Sequence, residues 1–203
     1  MDILEEKFKK KYTTALGHER AFVKFTTLKT LWFNTGTLCN LSCDGCYIES
    51  SPINNKLLYL NTKDVDQYLQ QIKKYNFSCD TIGFTGGEPF MNKDIISILN
   101  LCRKENYNIL ILTNAMQPML NKIKELKTFA TYEKLTIRVS LDHYTKEGHE
   151  YIRGKNTWDK ALKGIRWLAD NKFNINIASR IINKNEEILR EGFAKLFKDN
   201  NLI

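Results

Sequence analysis

Short apolar runs alternate with longer amphipathic stretches along this chain. The runs at 31–34, 81–84, 108–112, 135–141 and 173–178 are bounded by polar residues and rich in β-formers, and they read as buried strands. The stretches between them repeat apolar residues at helical spacing. Thr62 can cap a helix with Val65, Leu69 and Ile72 on one face, and Asn92 can cap the next, with Ile95, Leu99 and Cys102. Gln117-Pro118 puts proline at a favoured first helical position ahead of Met119, Ile123 and Leu126. Thr157 precedes Trp158, Leu162, Ile165 and Ala169, and Asn185 precedes Leu189, Phe193 and Leu196. Repeated strand–helix alternation predicts an α/β fold with a parallel sheet. An open doubly wound sheet and a closed or partial barrel both satisfy it.

In either architecture functional groups belong in the loops after the strands' carboxyl ends. The polar motifs fall there. Cysteines follow the first strand, Thr85-Gly86-Gly87-Glu88-Pro89 the second, Thr113-Asn114 the third and Asp142 the fourth. One mouth should collect them. Residues 1–30 read as a helix (Leu4, Phe8) and an extended piece (Phe22 to Phe25), with the main domain over 31–203. The end at 203 comes where a sixth strand would begin, so the domain is expected to be truncated near that strand.

Composition changes this picture little. The 203 residues, 42% of them apolar, suffice for a substantial core. No apolar run approaches the roughly 18–20 residues that span a bilayer, and the charged N-terminus is unlike a signal peptide. These features point to a cytoplasmic protein without a membrane partner. The net charge of +8 invites a nucleic-acid partner, but the lysines are spread along the chain, so charge does not decide function.

Cysteine usage is more informative. Of five, Cys39, Cys43 and Cys46 form a C-x3-C-x2-C loop, which in a cytosolic chain speaks for metal rather than disulfides. Cys79 and Cys102 stand alone and read as small buried apolar side chains. Iron–sulfur clusters usually take four thiolates, so three would leave one iron open to another ligand. A zinc site is the alternative, its fourth ligand drawn from Cys79, Cys102, His143 or His149. Gly86-Gly87 after a strand lets backbone approach a ligand closely, and Glu88 offers an acceptor suited to an ammonium group. His18, His143 and His149 read as structural histidines, with His143 the candidate acid or base.

Cys39…Cys43…Cys46 followed by Gly86-Gly87-Glu88-Pro89 resembles the two diagnostic motifs of the radical S-adenosylmethionine superfamily. Ser140-Leu141-Asp142-His143, then His149, Arg153-Gly154 and Thr157-Trp158-Asp159, resemble its branch of peptide-modifying and cofactor-maturing enzymes. The resemblance implies a partial (β/α)6 TIM-like barrel. It implies a [4Fe-4S] cluster on the three cysteines, with S-adenosylmethionine chelating the fourth iron and being cleaved reductively to a 5′-deoxyadenosyl radical that takes hydrogen from a substrate. Gly86, Gly87, Glu88 and Pro89 would receive the amino group. Ser140 and Asp142 would meet the ribose hydroxyls or carboxylate, Thr113 and Asn114 would line the mouth, and Arg153 or Arg180 would neutralise the carboxylate. Where the family usually has an aromatic before the third cysteine, this chain has Gly45, so Tyr47 is the expected adenine contact. Residues 175–180 also lack the family's fifth-strand glycine motif. The implied partners are a small-molecule or peptide substrate and an external one-electron donor such as a flavodoxin or ferredoxin. The competing readings are a zinc-stabilised basic binding module and a radical-type fold without turnover.

Overall fold

A computed structural model describes residues 7–180 and 185–202. Five strands, β1 (Thr30–Asn34), β2 (Thr81–Thr85), β3 (Asn108–Thr113), β4 (Leu135–Ser140) and β5 (Asn174–Ala178), pair in parallel in sequence order. That order has no reversal point, so the doubly wound alternative falls away and a partial barrel remains. Each strand lies within about a residue of its sequence-predicted position; β4 stops at Ser140 and leaves Leu141 outside.

Strand alternation sorts the side chains. Register aligns Phe33, Phe84, Ile111 and Ile137 on one face, with Ile82, Ile109 and Leu135 one step below. These residues are buried with apolar residues of the helices. The contributing helices are α1 (Thr62–Lys74), α2 (Ile95–Lys104), α3 (Gln117–Leu120), α4 (Ile123–Leu126), α6 (Trp158–Asp170) and α7 (Glu186–Asp199). The opposite face carries Trp32, Gly83, Leu110, Leu112, Thr136, Arg138 and Asn176.

Helix boundaries correct several expectations. Asn61, not Thr62, caps α1 through a reciprocal capping box: its side chain accepts from the Asp64 N–H, and Asp64 accepts from the Asn61 N–H. Asp94 occupies the cap position of α2, while Asn92 sits two residues earlier and accepts from the Asp94 N–H at 2.8 Å. The helix expected from Gln117 breaks into α3 and α4, with only a turn between them. α5 (Lys146–Arg153), absent from the sequence reading, is capped by Thr145 and ended by Gly154 at φ +93°. Leu4 of the expected N-terminal helix lies outside the described residues. Phe8 is in a turn at φ +65° and exposed, so the expected helix does not include it.

Candidate active site

The cysteine loop is fixed by strands that follow it in sequence. Gly87 N–H donates to the Gly36 carbonyl (2.8 Å) and Glu88 N–H to the Leu38 carbonyl (3.0 Å). A Cβ on Gly87 would strike that Leu38 carbonyl, and one on Gly86, at φ +133°, would come within 2.7 Å of the Gly36 carbonyl oxygen. The glycine pair is therefore needed first for backbone contact with the cysteine loop, besides lining the cavity. From β3, Asn114 Nδ2 donates to Asn40 Oδ1 (2.8 Å) and makes a long contact with Cys39 Sγ (3.9 Å).

A second set of contacts grips the loop from β4, α5 and β5. The Asp44 N–H donates to the Ile152 carbonyl (2.9 Å), and Arg180 Nη1 donates to the Asp44 carbonyl (2.9 Å). Arg153 Nη1 donates weakly to Cys43 Sγ (3.9 Å). Asp142 holds both arginines, Arg153 Nε at 2.6 Å and Arg180 Nε at 3.6 Å. The Asp142–Arg153 pair is buried.

Cys39, Cys43 and Cys46 line one cavity of about 400 Å³ together with Tyr47, Gly86, Gly87, Glu88, Thr113, Asn114, Ser140 and Arg153. Most expected site residues thus converge, and Arg180 joins them. Pro89 and Asp142 do not reach the wall. Pro89 is buried in the 3-10 turn Pro89–Met91, and the Asp142 carboxylate is engaged by its arginines. Arg153 is likewise anchored, by its largely buried pair with Asp142. Gly45, at φ +61°, takes a backbone conformation unfavourable for an aromatic residue. Tyr47 stands exposed at the rim with its hydroxyl 3.4 Å from Thr85 Oγ1.

Glu88 lines the cavity and is also bonded within the chain. Its buried carboxylate accepts from Thr113 Oγ1 (2.8 Å) and the Phe90 N–H (3.1 Å) on Oε1, and from the Asn114 N–H (2.8 Å) on Oε2. Burial raises its pKa, and the three donors oppose that rise. The carboxylate ties the end of β2 to the end of β3. Sequence reasoning missed this brace and the Asn40–Asn114 bond because both join residues distant in sequence. The Arg180–Asp44 contact has the same origin.

The thiols suit a metal cluster. Burial pushes the Cys39 thiol up to about 12, with the Glu88 charge and the other two thiols adding to the rise. Burial also raises Cys43, while Arg153 acts the other way. Such thiols become thiolates readily only against positive charge, which iron supplies. Among the described residues no three His, Cys, Asp or Glu side chains close around a point fit for a single ion. The zinc alternative also loses its fourth ligand, since Cys79, Cys102, His143 and His149 are all absent from the cavity wall. Cys102 is buried in the core, and His143 Nδ1 is 3.0 Å from Thr145 Oγ1.

The radical SAM superfamily model matches residues 33–191. This chain belongs to that superfamily, whose enzymes use a [4Fe-4S] cluster and S-adenosylmethionine. The antilisterial bacteriocin subtilosin biosynthesis protein AlbA of Bacillus subtilis (strain 168) is 30% identical over 149 residues, 72% of this chain and 32% of that protein. A probable GTP 3′,8-cyclase of Thermoplasma volcanium is 29% identical over 138 residues, 67% of this chain and 40% of that protein. Streptococcus suis SuiB bound to S-adenosylmethionine superposes with a TM-score of 0.70 at 19% identity, over 86% of this chain and 39% of that one. SuiB has also been solved bound to its precursor peptide SuiA, with a TM-score of 0.69 to this chain at 20% identity, over 86% of this chain and 38% of that one. The chain spans about a third to two fifths of the length of these relatives. Among the described residues no helix is long and apolar enough to cross a membrane.

Proposed function

We propose that this chain is the catalytic core of a radical S-adenosylmethionine enzyme that modifies a peptide. The observation that carries the reading is the convergence of three buried or half-buried thiols, the glycine pair and Ser140 on one cavity at the strands' carboxyl ends. The peptide assignment is supported by the likeness to AlbA, a bacteriocin biosynthesis protein, at 30% identity.

Cys39, Cys43 and Cys46 would hold the cluster, which they could do only as thiolates. When bound there, the cluster and S-adenosylmethionine supply the one-electron cleavage that begins radical chemistry. The chain orients and shields. Backbone at Gly86 and Gly87 and the Ser140 hydroxyl offer polar contacts to the methionine end. The Arg153 guanidinium supplies positive charge from its Asp142 anchor, and Tyr47 covers the rim as the adenine contact. Glu88 acts through Thr113 and Asn114 as a positioning residue. The electron would come from an external one-electron donor such as a flavodoxin or ferredoxin.

The test is anaerobic reconstitution followed by metal analysis, with about four iron and four sulfide expected per chain. After reduction with dithionite and addition of S-adenosylmethionine, chromatography should detect 5′-deoxyadenosine and methionine. One zinc per chain would restore the binding-module reading. A full cluster without 5′-deoxyadenosine, even with candidate peptides present, would favour the fold without turnover.

A further inference from the structure

Below the mouth, the concave face of the sheet holds a charge that the chain does not answer. Arg138 lies between Ile137 and Val139, both fully buried among the helices, so alternation turns it to the opposite face. Ser140, two positions further along β4 and therefore on the same face about 7 Å away, lines the cofactor cavity. Register sets Arg138 between Leu112 of β3 and Asn176 of β5. Arg138 is half-buried. Among the described residues its side chain makes no hydrogen bond, ion pair or ring contact. Arg153 and Arg180, by contrast, are both tied to Asp142. No Asp or Glu occupies the concave positions of the five strands.

A second feature of the same face points to what would lie there. Trp32 on β1 is 45% exposed, and its ring rests over Gly83, where any Cβ would strike it. By register Trp32 aligns with Thr136, so it lies three strand spacings across and two residues along from Arg138, roughly 16 Å over the backbone. A ligand meeting both must present an apolar group and an anionic group at about that distance. A short extended peptide does so at about 3.3 Å per residue. A guanidinium offers a rigid fork of donors that matches a carboxylate with two parallel hydrogen bonds.

We propose that the concave face is the substrate-binding floor and that it takes an acidic peptide segment, Arg138 receiving a side-chain carboxylate and Trp32 supporting an apolar side chain. This rests on the reading of the chain as a peptide-modifying enzyme and adds the substrate's charge to it. Before cleavage, the carboxylate would anchor the peptide two residues below the cofactor cavity.

The test uses the reconstituted chain labelled with ¹⁵N-arginine and two capped hexapeptides, identical except for one glutamate or glutamine and sharing a leucine four residues away. The Arg138 Nε–Hε resonance, assigned with Arg138→Lys, should move on adding the glutamate peptide, which should bind roughly tenfold more tightly or better. Arg138→Gln should erase that preference, and Arg138→Lys, keeping the charge without the fork, should retain part of it. Equal affinities, no binding of either peptide, or shifts confined to Arg153 and Arg180 would overturn the proposal. S-adenosylmethionine cleavage is assayed on the same preparation. Cleavage with equal peptide affinities sinks the acidic floor alone, whereas glutamate-selective binding without cleavage sinks the enzyme reading and leaves the floor.

Discussion

The two faces of one sheet follow opposite rules. On the helix-covered face Ile82, Phe84, Ile109, Ile111, Ile137 and Val139 are all buried to 1% exposure or less. There the requirement is volume and apolarity. On the concave face the same strands carry tryptophan, glycine, leucine, threonine, arginine and asparagine, several of them half-exposed. Apart from Gly83 beneath the Trp32 ring, packing does not ask for that mixture. Stability resides on one side of a single layer of backbone and chemistry on the other, so a one-residue change of position along a strand should change the kind of effect.

The largest expected effect is functional. Cys39→Ala, Cys43→Ala or Cys46→Ala should each abolish the brown cluster absorbance, while Cys79→Ala and Cys102→Ala keep it. A full cluster in the Cys43 variant would remove that residue from the ligand set. On the helix-covered face, Ile137→Ala should cost about 2–5 kcal/mol in denaturant unfolding, because the surrounding helices cannot collapse fully onto the cavity. Its neighbour Thr136→Val, on the concave face, should cost less than about 1 kcal/mol. Equal costs for the two would break the contrast between the faces.

His149 allows a test of intermediate size. It is fully buried against Trp158 with neither ring nitrogen partnered, and burial lowers its pKa to about 4, with Arg153 also lowering it and Asp142 and Glu150 opposing. The unfolded chain therefore binds a proton below about 6.5 that the folded chain refuses until about 4. Stability should rise with pH across that window, by up to about 3 kcal/mol. In His149→Phe this contribution should vanish. An unchanged pH slope would show that the imidazole finds a partner in solution.

Glu88→Gln gives an effect of about 1–3 kcal/mol, because the new amide NH₂ must face a donor that the carboxylate accepted. Loss of cofactor affinity with no change in stability would return Glu88 to the ammonium-binding role expected from its motif.

How far the sequence carried the reading differs between elements. All five strands were legible, since each is a short run of β-formers bounded by polar residues. α5 was not, because Lys146-Glu147-Gly148-His149 places a glycine and few apolar residues where a helix would show its periodicity. The break at Asn121–Lys122 was hidden by the apparent continuity of Met119, Ile123 and Leu126. At the site, residue identity was enough to find the cysteines and glycines, because cluster binding and close backbone approach tolerate few alternatives. The hydrogen bonds of Glu88, Asn114 and Asp142 were illegible. Most of their partners lie far off in sequence, Thr113 and Asn114 from Glu88 and Asn40 from Asn114, and only the assembled strand ends bring them together.

The bonds from Gly87, Glu88 and Asn114 back to the loop around Cys39 impose an order in time. A nascent chain that has emerged past Cys46 but not yet to β2 carries all three cysteines, yet none of the later backbone that holds their loop. The loop acquires its form after β2 and β3 have joined the sheet, and Arg153 and Arg180 clasp it later still. Maturation is therefore gated by topology: iron delivered early meets three unconstrained thiols, and iron delivered late meets a mould. A scaffold protein loading this chain would do best to recognise the finished sheet rather than the cysteine motif.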